Sequence, residues 1–328
     1  MSKPPIEVPQ GAIRFNTDSQ KMEFFAQDQW WEMATDVPTL DGGARGLIVG
    51  GHDGSNRIDT VEYITISTLG NAADFGNLTG NAGRPGACGS NVRALRGGGY
   101  NNSSLVNIID EHEFATTGHF NDFGNLTIAR NQIGSLSSAT RGVWAGGNPE
   151  TGRIDFVTIS SAGDAVDFGN LQTGKQSPHG CANPTRGLWM GGEDSPTNVN
   201  TIDFIVIASM GNAQDFGDLT AAQRLGTGFS NSIRGFKATG EGQSGKIDFI
   251  TIATTGNASN FGSLSQSRNE GGGMASPTRG VIAGGNTPSY VDTMDYITIA
   301  TEGSAVDFGN LSNPTSFNSA TSNAHGGL

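Results

Sequence analysis

The sequence predicts an all-β fold built from six copies of one four-stranded unit, and three observations predict it. The phrase Asp-Phe-Gly-Asn-Leu, or a close variant, occurs six times, with its Phe at positions 75, 123, 168, 216, 261 and 308. A second phrase, opening on Arg and closing on glycine, also occurs six times and begins at Arg45, Arg93, Arg141, Arg186, Arg234 and Arg279. Glycine supplies 50 of 328 residues without a Gly-x-y period, which excludes collagen and indicates many tight turns between short strands.

The elements follow in chain order. Residues 1–40 lie outside the repeat and read as a small β-meander, with strands beginning near Gly11, Lys21 and Gln29. Residues 41–328 carry the repeat. Within each unit, strand a lies in the segment after the phrase-ending Leu, and strand b is the Arg-led apolar stretch. Strand c is rich in β-branched and aromatic residues, as in Ile247–Ala253. A Gly-Asn-Ala turn, as at Gly70–Ala72, leads into strand d at the Asp-Phe-Gly-Asn-Leu phrase. From each phrase Leu to the next Arg is always 15 residues, for example Leu78 to Arg93 and Leu264 to Arg279, so length varies only between strands b and c. Four strands in each short repeat predict the blades of a six-bladed β-propeller. The first unit has no strand a ahead of Arg45. The segment from about 312 to 324 is expected to supply it, closing the ring through a C-terminal strand and leaving no exposed sheet edge.

Composition narrows the partners. The net charge of −12 and pI near 4.7 speak against a nucleic-acid backbone as ligand, which needs a basic face. No apolar run approaches membrane-spanning length, so a soluble protein without membrane insertion is expected. Two cysteines, Cys88 and Cys181, cannot make a disulfide framework. Both stand ten residues after a phrase Leu, where other units have Leu136, Phe229 and Met274, so they read as buried apolar side chains.

Repetition within one chain separates scaffold from site. Thirteen residues before each phrase Phe stands an acid: Glu62, Asp110, Asp155, Asp203, Asp248 and Asp295. One Arg and one acid per unit predict a ring of Arg–carboxylate pairs between Arg45, Arg93, Arg141, Arg186, Arg234, Arg279 and these acids, tying strand b to strand c or to the next unit. Two residues after each Arg the chain is always apolar (Leu47, Leu95, Val143, Leu188, Phe236, Val281), as core packing requires.

Residues that break the pattern are the functional candidates. In strand c of the second unit, Glu111 replaces an aromatic and His112 an aliphatic residue, with His119 nearby. A His and carboxylate metal site is weighed there against an irregular or solvent-facing strand, and the latter is expected because alternation puts His112 and Glu111 on opposite faces. Trp144 and Trp189 share one strand b position and read as packing rather than sugar-stacking residues. The connections between strands b and c vary most and must all emerge on one face. They carry His52, Asp53, Tyr100, Asn101, Asn148, Glu150, Glu193, Asp194, Glu241, Asn286 and Tyr290, the candidate binding surface, weighed against merely solvated turns. No nucleophile elbow, phosphate loop or dinucleotide fingerprint occurs. No catalytic residue, metal or cofactor is expected.

Two resemblances rest on these residues. Gly-Gly after strand b, an aromatic-rich strand c and the aromatic at Phe75 and its equivalents resemble kelch-type propellers over about residues 41–328. The unit departs from kelch in its Asp-aromatic-Ile-Thr-Ile strand c. The stretch Gly11 to Ala34, with its Ile-Arg-Phe-Asn-Thr-Asp-Ser-Gln turn and following Trp30-Trp31, resembles a β-meander near the start of tailed-bacteriophage fibre and appendage proteins. Repeats of the Thr-Thr-Gly-Asn-Ala type are also similar to those of marine and cyanobacterial phage virion proteins. These resemblances imply a non-enzymatic virion structural protein (tail fibre, neck or capsid appendage), made in the host cytoplasm. Its meander is expected to bind other virion proteins and to support a homo-oligomer, and its propeller to decorate the particle or touch a host-surface glycan or protein. The alternatives are a glycan-cleaving appendage enzyme and a cellular kelch-like scaffold for protein partners.

Overall fold

Every described segment of regular structure is a strand, and the strands form seven antiparallel sheets, one of three strands and six of four. The computed structural model describes residues 8–16, 21–32, 44–242 and 245–328. The chain divides into two units, Met1–Gly42 and Gly43–Leu328. The expected boundary at 40/41, the 17–20 part of the N-terminal turn and the 243–244 part of one b–c connection lie outside the described residues.

In the first unit Ile13–Asn16, Lys21–Ala26 and Gln29–Glu32 pair in chain order. Ile13 stands opposite Phe24, Phe15 opposite Met22, and Phe24 opposite Trp31. Alternation therefore puts these five on one face, and all five are exposed. On the other face Arg14 pairs with Glu23 at 2.7 Å and lies over the Trp30 ring, which also meets Phe25 edge-on.

The second unit holds the six four-stranded sheets, numbered here by their strand b arginines, Arg45 first and Arg279 sixth. Each has the order a-b-c-d. The third shows the plan: Gly134–Ser137, Arg141–Ala145, Arg153–Thr158 and Val166–Asn170. In the first sheet strand a is Ser319–Ser322, paired with Arg45–His52 so that Ser319 faces Val49 and Ser322 faces Gly46.

Two glycine positions are dictated by geometry. The first of each Gly-Gly pair ending strand b has a left-handed φ, between +58° and +68° at Gly50, Gly98, Gly146, Gly191 and Gly284; Thr239 takes this conformation in the fifth sheet. The Gly of the Asp-Phe-Gly phrase is fixed by proximity: a Cβ on Gly76 would lie 2.0 Å from the Gly118 carbonyl of the next sheet. The reason for that closeness is a second role of the Gly-Asn-Ala turn. Gly118 N donates to Phe75 O and Phe120 N to Asn77 O, and the same two bonds recur from Gly163, Gly211, Gly256, Gly303 and Gly70 and the residues two beyond them. Each turn thereby covers the outer edge of the preceding strand d.

The cores lie between sheets. Each phrase Phe is at most 3 % exposed and most meet the strand c aromatic edge-on, as in Phe156–Phe168. The six apolar residues after the arginines are fully buried, and so are Cys88 and Cys181. Trp144 and Trp189 are fully buried too, and each donates its indole N–H to a carbonyl of the preceding sheet, Gly86 and Gly134.

Candidate functional site

The structure corrects the expected Arg–carboxylate pairs. Arg141 faces Thr158 across strands b and c, whereas Asp155 faces Trp144. An offset of three residues puts the Arg and the acid on opposite faces of the sheet, so neither can reach the other. The same offset separates Arg45 from Glu62, Arg93 from Asp110, Arg186 from Asp203, Arg234 from Asp248 and Arg279 from Asp295. The arginines instead tie sheet to sheet. Arg45 donates to Phe114 O, Arg93 to Ile159 O, Arg141 to Ile207 O, Arg186 to Ile252 O, Arg234 to Ile299 O and Arg279 to Ile66 O. Five of them also lie over the strand c aromatic of their own sheet, Tyr63, Phe156, Phe204, Phe249 and Tyr296. The sixth explains a pattern break: Glu111 stands where the aromatic should be, and Arg93 makes an ion pair with it at 2.8 Å.

Four of the acids pair with other, buried cations. Asp155 meets Arg130 at 3.0 Å, Asp203 meets Lys175 at 2.8 Å, Asp295 meets Arg268 at 2.9 Å and Asp110 meets Arg96 at 2.5 Å. In the fifth sheet Asp248 faces the buried Lys237 across strands b and c, and burial lowers the Lys237 pKa to about 8. The residue after the preceding phrase Leu completes most sites, as where Thr127 donates its backbone N–H and its hydroxyl to Asp155. Burial pushes the Cys181 thiol up to about 12 and that of Cys88 higher, so neither is a nucleophile near neutral pH.

The strand carrying Glu111 and His112 runs over Leu105–Glu113, with a register shift in its pairing to each neighbouring strand and its Glu113 end exposed. His112 is half-buried between Phe75 and Phe120. Among the described residues no group of three or more His, Cys, Asp or Glu is placed to hold a metal.

The strongest convergence of unlike side chains was missed by sequence reasoning. Six residues after each phrase Leu stand Arg84, Gln132, Ser177, Leu225, Glu270 and Phe317. None is glycine, yet all have φ between +48° and +61°. This conformation costs a non-glycine residue about 1 kcal/mol or more, and such strain gathers where function needs it. Backbone bonds join them in sequence: Gln132 N to Arg84 O, Ser177 N to Gln132 O, Glu270 N to Leu225 O, Phe317 N to Glu270 O and Arg84 N to Phe317 O. All six line one cavity of about 110 Å³. Across it Arg84 pairs with Glu270, whose pKa burial raises, and lies 4.2 Å over the Phe317 ring. Ser177 donates to Gln132 at 2.8 Å. The signal was the register that singled out the cysteines, read four residues earlier.

The variable connections begin beside this cavity. The backbones of His52, Asn148, Glu193 and Asn286 bridge to the residues just before the six, and Tyr100 bridges to Gly83. The structure brings His52 and Tyr290 together with Phe317 as an aromatic triad. Burial, then the Arg57 charge, lower the His52 pKa. Arg57 lies over Tyr100. Glu193 and Glu241 share Arg224, and Glu241 also accepts from Asn198. The others hold turns: Asp53 and Asn101 cap their own loops, and Glu150 accepts from Ser195 N. Asp194 faces Thr197 within its hairpin and joins neither group.

A second, smaller cavity of about 50 Å³ is lined by strand a residues, among them Cys88, Ser137, Cys181 and Ser230, and by His325. His325 donates from Nε2 to Gly89 O, accepts the Gly327 N–H at Nδ1, and is pushed down to a pKa of about 4 by burial. Gly326 N donates to Ser230 O.

Fold and site together define a propeller-like all-β architecture with a polar, strained mouth bordered by its variable connections. Comparison with known proteins finds no family that matches the chain and no curated protein that matches its sequence.

Proposed function

We propose that the Gly43–Leu328 unit is a six-bladed kelch-like β-propeller, closed by its C-terminal strand, in a non-enzymatic structural protein of a tailed-bacteriophage virion (tail fibre, neck or capsid appendage). Support for a closed ring is that the sixth sheet contacts the first as every other neighbour does: Gly70 N donates to Phe308 O, Arg279 to Ile66 O and Phe317 N to Glu270 O. The observation that carries the virion reading is the N-terminal sheet, whose phage-like sequence displays Ile13, Phe15, Met22, Phe24 and Trp31 on one exposed face. An apolar face of this kind marks an association surface, and its occupant is taken to be the same sheet of another copy within the virion appendage. The mouth around Arg84, Glu270 and Phe317, with the loops that carry His52 and Tyr290, is the surface offered to a host glycan or protein.

The test has two arms. The full chain should sediment as an oligomer, and Phe15→Glu with Trp31→Glu should sediment as a folded monomer. The chain should also be present, by mass spectrometry, in purified particles of the phage whose genome encodes it. Its absence from those particles refutes the virion reading.

A further inference from the structure

One carboxylate breaks the rule that the other five obey. In the third, fourth and sixth sheets the buried base comes from the position four after a phrase Leu: Arg130, Lys175 and Arg268. In the second and fifth sheets that position holds Ala82 and Gln223, and the buried base stands three after the strand b Arg instead, as Arg96 and Lys237. Arg96 pairs with Asp110. Lys237 faces Asp248 but bonds Gln223 and the Thr239 carbonyl, while Asp248 makes its ion pair with Lys246 at 3.7 Å. In each of these five sheets one of the two positions carries a buried base. In the first sheet the two positions are Thr315 and Ile48, and neither is basic. Glu62 is nonetheless only 7 % exposed. It accepts one bond, from Ser312 N at 2.9 Å, and no cation among the described residues meets it.

A cavity of about 340 Å³ lies at this place, lined by both positions, Ile48 and Thr315, together with Gly50, Thr60, Glu62 and Asn313. Its other walls include the exposed Asp53 and Ser312, so it is reached from solvent. The walls match what holds a guanidinium elsewhere. Arg130 donates to the carbonyls of Trp144, Gly146 and Arg153 besides Asp155. The repeat equivalents of those three residues are Ile48, Gly50 and Thr60. Arg96 donates to Gly80 O, whose equivalent is Asn313. A buried charge is costly unless paired, and acceptors already in place lower the cost of binding its partner.

We propose that the cavity beside Glu62 binds an organic cation with a guanidinium or primary ammonium head. The planar fork of a guanidinium matches one carboxylate and several carbonyls set around it. Glu in place of Asp extends the carboxylate by one methylene toward a ligand that is not tethered to the chain. The shared chemistry can arrive as a free amine or as the Arg side chain of a protein partner.

Calorimetric titration of the full chain tests this with agmatine as the free cation and a blocked Gly-Arg-Gly peptide as the side-chain form. Saturable agmatine binding is expected, with a Kd on the order of 1 mM or tighter. Glu62→Gln should weaken it about tenfold or more, the loss expected of a charge-assisted hydrogen bond. Thr315→Arg and Ile48→Lys each refill the site as the other sheets do, so both should abolish agmatine binding and raise the melting temperature; either variant alone suffices if the other does not fold. Peptide binding at least as tight as agmatine assigns the site to a protein side chain, and agmatine binding alone assigns it to a free amine. No saturable binding of either probe, binding unchanged in Glu62→Gln, or saturation by Ca²⁺ in place of both probes overturns the proposal.

Discussion

Replacing Arg130 with Met keeps an unbranched apolar stem and removes the guanidinium, which makes the buried pair in the third sheet a test of how the scaffold is held. Arg130 and Asp155 are both inaccessible to solvent, and Arg130 makes four hydrogen bonds, to Asp155 and to three backbone carbonyls. Without it Asp155 keeps only the two donors of Thr127, and a buried carboxylate is left without a counter-charge. Breaking such a pair from one side costs about 3–5 kcal/mol, because the remaining charge stays desolvated. Adding Asp155→Asn removes that charge while Asn can still accept from Thr127, so the double variant should be more stable than Arg130→Met alone. Equilibrium urea denaturation followed by tryptophan fluorescence reads both, since Trp144 is buried in the same sheet. The control is Arg153→Met, whose guanidinium reaches the Thr127 hydroxyl in an exposed contact and should cost under about 1 kcal/mol. An Arg130→Met cost below about 1 kcal/mol, or effects of the two core substitutions that add within about 0.5 kcal/mol, would refute the reasoning.

Other outcomes follow from the same geometry. His325 has a folded pKa of about 4 against an ordinary 6.5, so between those values the native state binds fewer protons than the unfolded chain. Its contribution to stability is complete above about pH 6.5 and falls by about 3 kcal/mol as the pH drops to 4. The stability gap between wild type and His325→Gln should close by that amount over this range, and a pH-independent gap contradicts it. Glu111→Phe should restore the cation–π contact that five other sheets use, changing stability by less than about 1 kcal/mol in urea titrations, because one modest interaction replaces another. Gly76→Ala should leave the protein unfolded or cost more than about 3 kcal/mol in the same assay, since its Cβ would sit 2.0 Å from a backbone oxygen. Cys88 and Cys181 should resist a disulfide-exchange reagent at pH 8 in the native state and react at once in denaturant; native labelling within minutes would contradict their burial.

Much of the scaffold was legible in the sequence because its constraints repeat six times. The phrase Phe, the Gly-Gly pair, the apolar residue two after each Arg and the strand borrowed from Ser319–Ser322 all recur at fixed spacing, and packing accounts for each. The pairing of charges was not legible, for a reason that lies in strand geometry. Spacing along the chain fixed which residues recur, but the register of strands b and c decides which face each occupies, and an offset of three reverses the assignment of every Arg and acid. The mouth stayed hidden for the opposite reason. Arg84, Gln132, Ser177, Leu225, Glu270 and Phe317 share a backbone conformation and no side-chain chemistry, so residue type gave no alignment to notice.

That contrast separates two kinds of position in this chain. Where the surroundings impose one solution, the six copies agree or compensate: the lost aromatic at Glu111 is answered by an ion pair with Arg93, and the lost base at Ala82 by Arg96. Compensation inside a single chain is a physical sign that the interaction matters to folding, because a buried Asp110 without its base would be costly. Where the copies differ and nothing compensates, folding is not the constraint. Two places meet that condition. One is the left-handed row at the mouth, where six unlike side chains bear the same backbone strain. The other is Glu62, the one recurring acid with no base at either of the positions that carry one in the other five sheets. Selection for stability alone would have filled the second site with a Lys or Arg, as it did in the five neighbouring sheets, and would have placed Gly or Asn throughout the first. These are the two places where the proposed ligands are to be tested.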